Sequence, residues 1–265
     1  MALPPPAPES TCLITGASSG IGADIARSLA RRGHGVTLAA RREERLEALA
    51  AELRDRDAVR VETAGCDLSD VDARRRLVTE IEERGLGVEV LVNDAGFGSG
   101  GRFDRLDAAR EVEMVRVNVE AVVDLCGRYV PDMVRRGRGA VLNVASTAAF
   151  QPLPRQATYA ASKAFVLSFT DALHTELAGN GITATTLCPG PVKTEFFDTA
   201  GLEAEGLPAF ILADSVDVAE AGVKGLEKGR RVVVPGPLNR AGALGGQYAP
   251  RGVFLKLAGK MYPVR

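Results

Sequence analysis

A glycine-rich turn near the start of the chain limits most strongly what this sequence can fold into. The β-rich run at 11–15 breaks into residues 16–22, which read Gly-Ala-Ser-Ser-Gly-Ile-Gly, and a helical pattern follows to about Gly33. Glycines let the backbone turn tightly and approach a ligand closely. The start of a helix offers unpaired N–H groups and a positive dipole end to a phosphate. A strand, a glycine turn and a helix in this order therefore favour a phosphate-binding turn over a plain tight turn.

Strand and helix patterns alternate along the rest of the chain. After 11–15, apolar and β-branched runs predict strands at 35–40, 59–63, 88–92, 140–144, 182–187 and 231–234. Charged or apolar-striped helices are predicted between them, including one long helix, or two in succession, at 107–136; the segment before the last strand reads as loops. Such alternation predicts an α/β domain with a parallel sheet of about seven strands and helices on both faces. Ligands of these sheets bind at the carboxyl ends of the strands, where Gly16 and Gly96 fall.

The length of 265 residues fits one such domain, which we place at 11–235. Residues 1–10 include four prolines and predict a loose tail. A substrate lid is predicted at about 190–213, where aromatic and leucine residues are frequent. Residues 236–265 form an extension with a basic, partly apolar run from Arg251 to Lys260. We expect this extension to pack on the domain, at a subunit interface or on a surface.

Overall charge and cysteine usage exclude several classes of function. The net charge is -1, so no basic excess indicates a nucleic-acid partner. The longest apolar runs are too short for a transmembrane helix, and the first residues lack the pattern of a signal peptide. Cys12, Cys66, Cys126 and Cys188 are scattered without metal-ligand spacing. We therefore expect reduced cysteines, no bound metal and a cytoplasmic location.

Two arginines follow the second predicted strand. In a dinucleotide-binding fold, an acidic residue there binds the ribose 2′-hydroxyl of NAD, whereas an arginine accommodates the 2′-phosphate of NADP. This chain has Ala40 followed by Arg41 and Arg42. The pattern favours the phosphate role for Arg41 and gives Arg42 less weight. The alternative is a solvated pair that opens the charged helix predicted at 42–56.

Tyr159 and Lys163 lie four residues apart on a predicted helix from Tyr159 to about Gly179, and so share one face. A nearby ammonium lowers the pKa of a phenol, which suits proton transfer near neutral pH. Such a pair also occurs often by chance. Ser146 ends the strand at 140–144, at the same edge of the sheet. Asn118 lies in an apolar stretch of the 107–136 helix, where a buried amide needs a partner.

Six motifs occur together in order: residues 15–22, residues 93–96, Asn118, Ser146, Tyr159 with Lys163, and residues 189–194. Together they resemble the single-domain branch of the short-chain dehydrogenases/reductases. The resemblance covers about residues 12–234 and implies a single doubly wound Rossmann domain. Two departures are visible. The family's Asn-Asn-Ala-Gly is Asn-Asp-Ala-Gly at 93–96, and Ser19 stands where NADP-preferring members often have a basic residue.

The resemblance implies roles for individual residues. Tyr159 would be the general acid/base, Ser146 would hydrogen-bond the substrate oxygen, and Lys163 would bind the nicotinamide ribose and lower the pKa of Tyr159. Asn118 would hold a water in a proton relay. The residues implied for cofactor binding are Gly16, Ser18, Ser19, Ile21, Gly22, Arg41, Asp67, Leu68, Asn93, Ala95, Gly96, Tyr159, Lys163, Pro189, Gly190, Val192 and Thr194.

The implied function is an NADP(H)-dependent oxidoreductase that transfers a hydride between nicotinamide and a carbonyl or alcohol carbon, with NADP(H) favoured over NAD(H) because of Arg41. Aromatic residues of the lid favour an apolar substrate, unless they only pack the lid onto the body. The family is often dimeric or tetrameric, which implies a homo-oligomer with residues 107–136 and 165–177 at the interface.

Alternative functions stay open. One is an NAD(P)-binding sensor or regulator without turnover, although such proteins usually lack the Tyr–Lys pair. Another is a sugar-nucleotide epimerase or dehydratase of the related extended branch. Those proteins have a differently spaced glycine turn and a larger substrate domain.

Overall fold

Seven parallel strands form one sheet in the order β3-β2-β1-β4-β5-β6-β7. The computed structural model describes residues 3–200, 212–252 and 255. The strands are β1 Ser10–Thr15, β2 Val36–Ala40, β3 Val61–Gly65, β4 Gly87–Asn93, β5 Gly139–Val144, β6 Ile182–Leu187 and β7 Val232–Val233. The predicted α/β domain with a parallel sheet is confirmed. The strand order reverses between β1 and β4, which brings the loops that follow these two strands together at a switch point.

Nine helices are seen in the described ranges. They are α1 Gly20–Ala30, α2 Glu43–Asp57, α3 Val71–Glu83, α4 Ala108–Val115, α5 Ala121–Arg136, α6 Ala157–Glu176, α7 Phe196–Ala200, α8 Ser215–Glu227 and α9 Pro237–Tyr248. A short 3-10 turn, Thr147–Phe150, follows the loop after β5.

Alternating side chains of the strands separate two cores. In β1, Ile14 packs in the core that includes residues of α1, α2 and α8, whereas Leu13 packs in the core that includes residues of α3, α5 and α6. In β4, Val92 packs in the first of these cores and Leu91 in the second. Successive side chains of a strand point to opposite faces, so strand centres covered by helices on both sides are apolar at consecutive positions.

A wider helical turn joins α4 to α5. Residues Arg116–Glu120 form a π-helical turn, so the region predicted as one long helix or two is continuous but interrupted in its hydrogen-bond pattern. Asn118 lies in this turn and is 1% exposed. Isolated π turns occur frequently at functional sites.

The beginning of the chain makes several contacts with the domain, and the loose tail at 1–10 stays a prediction. Pro4 is buried, Leu3 packs against the core beneath α1, and β1 already begins at Ser10. The Gly87 N–H donates to the Glu9 carbonyl at 2.8 Å, which continues the sheet pairing before the strand. Prolines restrict the unfolded chain, so packing this segment costs less conformational entropy.

The segment between β6 and β7 differs from the predicted loops. Instead of loops alone it contains α8, which begins after Asp214 and packs on α1 through Val218 and Val223. The Asp214 side chain accepts a hydrogen bond from the Val216 N–H at 2.8 Å and so caps the helix. The buried stripe of α8 contains alanine and glycine as well as valine, which weakens the apolar periodicity.

Parts of two predicted segments lie outside the described residues. These are Leu202, Leu207, Phe210 and Ile211 of the lid, and residues 253–254 and 256–265 of the extension. The described part of the lid includes α7, and that of the extension includes α9. No helix within the described ranges is long and apolar enough to cross a bilayer.

Candidate active site

A cavity of about 680 Å³ lies along the carboxyl edge of the sheet. Most of the predicted site residues line it: Gly16, Ser18, Ser19, Ile21, Arg41, Asp67, Leu68, Ala95, Gly96, Ser146, Tyr159, Lys163, Pro189, Gly190, Val192 and Thr194. Three predicted residues, Gly22, Asn93 and Asn118, are outside this lining and pack behind it. The structure thus brings both groups of predicted residues, for cofactor and for chemistry, to one cavity.

The glycine turn after β1 forms the wall nearest the switch point. Gly16 has φ +72° and Gly20 has φ +57°, a backbone region that favours glycine. A Cβ atom at Gly16 would lie 2.9 Å from the backbone of Ala95, so the loops after β1 and β4 approach too closely for a side chain. Ser19 does not cap α1 with its side chain, which leaves N–H groups of the first turn for a ligand. This cradle fits a diphosphate.

Gly22 is not part of the surface of that cradle. A Cβ atom there would lie 2.7 Å from the Gly16 carbonyl oxygen and 2.6 Å from Oδ2 of Asp94. The residue has to be glycine so that α1 can pack under the turn, and its contact with the pyrophosphate stays a prediction.

Asp94, which the sequence analysis notes only as a departure from the family's Asn-Asn-Ala-Gly, lies in the site. Its carboxylate lines the cavity, and Oδ2 lies 3.2 Å from the Cβ position of Gly16. Burial raises the pKa of this carboxyl, while Lys163 and a hydrogen bond from the Gly22 N–H oppose the rise. The signal in the sequence was the acidic residue in the Asn-Asp-Ala-Gly motif at 93–96.

The adenosine end of the cavity has two arginines. Arg41 is mostly exposed and pairs with Glu113 at 3.6 Å. The Arg42 guanidinium donates to Oγ of Ser19 at 2.8 Å and to Glu195 at 2.7 Å. Arg42 therefore lies directly at the glycine turn, although the sequence analysis favours Arg41 for the phosphate role. Both arginines line this end of the cavity.

Tyr159 and Lys163 lie at the other end, on the first turns of α6. They are 9% and 5% exposed, and Nζ of Lys163 lies 5.9 Å from the centroid of the Tyr159 ring. The ammonium donates to the Val144 carbonyl at 2.9 Å, at the end of β5. The Ser146 hydroxyl accepts a hydrogen bond from the Ala148 N–H at 3.1 Å. The predicted convergence of these side chains from β5 and α6 is present.

The expected lowering of the Tyr159 pKa is not found. Burial raises the pKa of the phenol to about 12, and a hydrogen bond from Ser146 opposes this rise. Burial also lowers the pKa of the Lys163 ammonium, which Asp94 partly counteracts. Removal from water, rather than attraction between phenolate and ammonium, is thus the larger influence on both groups. A protonated phenol suits a hydrogen-bond donor to a substrate oxygen.

Asn118 is fully engaged by protein groups. Its amide nitrogen donates to the Phe97 carbonyl at 3.0 Å and to Oγ of Ser162 at 3.1 Å, and its oxygen accepts from the Phe97 N–H at 3.2 Å. The π turn therefore fastens the loop after β4 to α6. The water relay implied by resemblance stays a prediction.

Asn93 turns away from the cavity. Its amide donates to Oδ1 of Asn143 at 2.8 Å, and Asn143 donates in turn to Oγ1 of Thr170 at 2.8 Å. This buried chain of hydrogen bonds links β4, β5 and α6. The polar side chain is therefore satisfied inside the domain, and the passage of Asn93 beside the cofactor stays a prediction.

A buried arginine connects the adenosine end to the π turn. Arg74 of α3 is 1% exposed and donates to the Leu68 carbonyl at 2.6 Å. It also donates to Asp124 at 2.8 Å and to Glu120, the last residue of the π turn. A guanidinium can hold several acceptors in a fixed plane. The loop after β3 and the turn that carries Asn118 are therefore fixed to the same side chain.

Apolar side chains line the cavity around Tyr159. They are Phe97, Val117, Ala148, Leu153, Phe196 and Phe197, together with the amides of Gln151 and Gln156. The rings of Tyr159 and Phe196 are 5.3 Å apart in a tilted arrangement. Of Phe97, Phe150 and Leu153, which the sequence predicts near the mouth of the lid, Phe97 and Leu153 line the cavity and Phe150 does not.

The extension contributes a wall beside this apolar end. In α9, the Asn239 side chain occupies the space that a Cβ atom of Gly190 would need. Gln151 likewise abuts Gly246, so α9 packs on the turn Thr147–Phe150. Sequence analysis left the position of this segment open. The structure packs α9 on the domain.

Known proteins with similar sequences and folds agree with this arrangement. A sequence profile described as short chain dehydrogenase matches residues 10–204. Sulfoacetaldehyde reductase 2 of Chromohalobacter salexigens is 36% identical, over 81% of this chain and 92% of its own length.

Two solved structures cover most of the chain. A short-chain dehydrogenase from Sphingobium yanoikuyae in complex with NADPH is 33% identical with a TM-score of 0.81, covering 97% of this chain and 96% of that one. The bulky-bulky ketone specific alcohol dehydrogenase from Comamonas testosteroni is 30% identical with a TM-score of 0.76, covering 96% and 94%. The chain belongs to the short-chain dehydrogenase family and is an NAD(P)-dependent oxidoreductase. The family resemblance drawn from the six motifs is confirmed.

Proposed function

We propose that the protein transfers a hydride between NADP(H) and a carbonyl or alcohol carbon of an apolar substrate, with Tyr159 as general acid/base. One observation carries this proposal. A buried phenol, a buried ammonium and a half-buried hydroxyl meet among aromatic side chains at one end of a cavity whose other end has a glycine turn and two arginines. The nicotinamide, when bound, supplies or accepts the hydride, and the protein supplies geometry and proton handling.

Tyr159 and Ser146 act on the substrate oxygen. Negative charge grows on this oxygen as a carbonyl is reduced, and hydrogen bonds that strengthen with that charge lower the barrier. The buried phenol stays protonated at neutral pH because burial raises its pKa, so it can donate its proton to the product. The aromatic walls exclude water and strengthen these hydrogen bonds.

Lys163 binds the nicotinamide ribose. Its ammonium already bonds the Val144 carbonyl, which orients it into the cavity between Gly96 and Tyr159. An ammonium in that position can bind a ribose hydroxyl through its remaining donors. Asn118 holds the loop of Phe97 in place beside it.

The preference for NADP(H) is supported by charge at the adenosine end. Arg41 and Arg42 both line the cavity, whereas an acidic residue would be expected at this place for the 2′-hydroxyl of NAD. Arg42 contacts Ser19 and Glu195 in the present arrangement. A 2′-phosphate would compete with Glu195 for this guanidinium, because phosphate is the more highly charged acceptor.

A homo-oligomer and a cytoplasmic location belong to the same proposal. Large apolar side chains are exposed on α4, α5 and α6, namely Val112, Val115, Val123 and Phe165. Apolar patches on helices of this kind are typical of subunit contacts. All four cysteines are free and buried, which suits a reducing compartment.

The proposal is tested first by cofactor binding and then by turnover. Fluorescence titration should give tighter binding of NADPH than of NADH. NADPH oxidation should then be followed with a panel of ketones and aldehydes of increasing apolar bulk, including small charged carbonyls. Faster turnover of bulky apolar carbonyls supports the proposal. Cofactor binding without turnover of any carbonyl or alcohol would instead favour the sensor or regulator function.

A further inference from the structure

The net charge of -1 conceals an uneven distribution along the chain. Residues 235–265 include five basic residues and no acidic residue, whereas residues 1–234 include 28 basic and 34 acidic residues, a net charge of -6. The five are Arg240, Arg251, Lys256, Lys260 and Arg265. Basic residues concentrated in one segment of an otherwise acidic chain favour an anionic partner.

The described part of this segment also exposes large apolar side chains. Leu238, Leu244, Tyr248 and Leu255 are all exposed, and Tyr248 is 76% exposed. Leu244 and Tyr248 are four residues apart and share one face of α9. Arg240 and Arg251 are exposed too, and neither forms an ion pair with a carboxylate of the described residues. Exposed apolar side chains among unpaired cations characterise segments that lie in a membrane interface.

The position of α9 relates this surface to the cavity. Its inner side contacts Gly190 and Gln151, and both of these residues line the cavity near Tyr159. Its outer residues Leu244 and Tyr248 therefore lie beside the apolar end rather than at the adenosine end. A surface that binds α9 from outside would lie next to the place where an apolar substrate reacts.

We propose that the outer face of α9, together with Arg251 and Leu255, forms a docking surface for an anionic lipid bilayer. This surface offers the two interactions that hold a segment at a membrane. Basic side chains attract anionic headgroups, and leucine and tyrosine side chains enter the interface. A nucleic acid would be attracted by the cations but would leave the apolar side chains unused. A second copy of the same segment would bring like charges together. Docking does not depend on the proposed function, whereas delivery of an apolar substrate from the bilayer rests on it.

The test uses the full-length protein and vesicles. Sedimentation is compared for vesicles of phosphatidylcholine alone and of phosphatidylcholine mixed with phosphatidylglycerol. We expect binding to the anionic vesicles only, weakening as salt is raised. The double variant Arg240→Glu/Arg251→Glu should reduce partitioning at least about tenfold. Leu244→Ser/Tyr248→Ser should also reduce it, and this reduction should persist at higher salt.

Arg31→Glu serves as the matched control. Arg31 is an exposed arginine at the end of α1, away from the extension, and its reversal changes the net charge in the same direction. This variant should bind anionic vesicles at least half as strongly as the unaltered protein. NADPH titration of every variant verifies that the domain is folded.

Several results would overturn the proposal. These are absence of vesicle binding, equal binding to neutral and anionic vesicles, and unchanged partitioning of Arg240→Glu/Arg251→Glu. The two double variants could also dissociate into smaller assemblies while keeping their vesicle binding. That result would assign the surface to a contact between copies of the chain. Vesicle binding without turnover of any carbonyl leaves docking intact and rejects the proposed function, so the two failures are distinguishable.

Discussion

The two ends of the cavity obtain their chemical properties by opposite physical routes. Tyr159 and Lys163 are nearly buried, and removal from water is the largest influence on their pKa values. The side chain of Arg41 is 64% exposed and that of Arg42 is 43% exposed, and their carboxylate partners are partly exposed as well. One end therefore depends on the exclusion of water, and the other on charges that stay in contact with it.

This difference determines how each end should respond to change. Groups in a dry site interact strongly because the local dielectric constant is low, and salt screens them little. Deletion of one hydrogen-bonding atom therefore has a large effect. Charges in water are screened within about 10 Å at moderate salt, and each contributes modestly. Substitutions at Tyr159, at Arg41 with Arg42, and at Asp94 test this contrast.

The largest effect is expected at the buried end. Tyr159→Phe removes the proton donor and should reduce turnover by at least about 10²-fold, because general acid catalysis typically contributes that much or more. NADPH affinity measured by fluorescence should stay nearly unchanged.

The control for this experiment is Tyr129→Phe. Tyr129 is also buried, and its hydroxyl has no hydrogen-bond partner among the described residues. This variant loses the same oxygen atom and should keep normal turnover. Normal turnover of Tyr159→Phe would exclude Tyr159 as the acid/base.

A smaller effect is expected at the exposed end. Arg41→Ala/Arg42→Ala should weaken NADPH binding about tenfold, close to 1.4 kcal/mol, and leave NADH binding unchanged. The difference between variant and unaltered protein should shrink as salt is raised, because exposed charges are screened. Isothermal titration of NADPH and NADH at two salt concentrations measures the affinities and their salt dependence.

Arg45→Ala is the control for the adenosine end. Arg45 pairs with the same Glu195 but does not line the cavity. Its removal should leave the ratio of NADPH to NADH affinity unaltered. Equal losses for both cofactors in Arg41→Ala/Arg42→Ala would remove the phosphate-binding role.

The smallest effect is expected at Asp94, which lies between the two ends. Burial raises the pKa of its carboxyl to about 7, and an anionic diphosphate nearby would raise it further. Binding of NADPH should therefore take up protons, so that affinity falls a few-fold as pH rises through about 7. Asp94→Asn should flatten this dependence.

Stability provides a second measurement on Asp94. The folded protein binds more protons at this group than the unfolded chain between the ordinary pKa of aspartate and about 7, so the free energy of unfolding should fall as pH rises through that window. Asp94→Asn should remove the fall. Asp171→Asn, a partly buried carboxyl with a raised pKa that does not line the cavity, should leave NADPH binding unaffected. A pH profile of NADPH affinity unchanged in Asp94→Asn would contradict the prediction.

Most of the sheet could be predicted from the sequence because its signals are local. Apolar runs that end in glycine or a polar residue gave the strands, and the glycine turn at 16–22 gave the site its location. Tyr159 and Lys163 could be placed on one face because helical spacing alone determines this. Helix α8 was missed, since its contacts with α1 depend on segments distant in sequence.

The features of the site that the sequence did not predict have a common physical cause. The direction of a polar side chain depends on its partners, which a single sequence does not reveal. Asn93 turns inward because Asn143 accepts its amide hydrogen. The pKa of Tyr159 rises because burial outweighs its neighbours. Arg42 reaches the glycine turn because Ser19 lies within its range.

Because Arg116–Glu120 is a π-helical turn, the number of residues in this helix determines how Asn118 lies relative to its partners. Each residue of an α-helix advances the chain by about 100° around the axis. Loss of a single residue from this turn would restore a regular helix and rotate α4 by about that angle relative to α5. Asn118 and Glu120 would no longer both reach their partners. Substitutions along this helix should therefore be accepted far more readily than one-residue insertions or deletions.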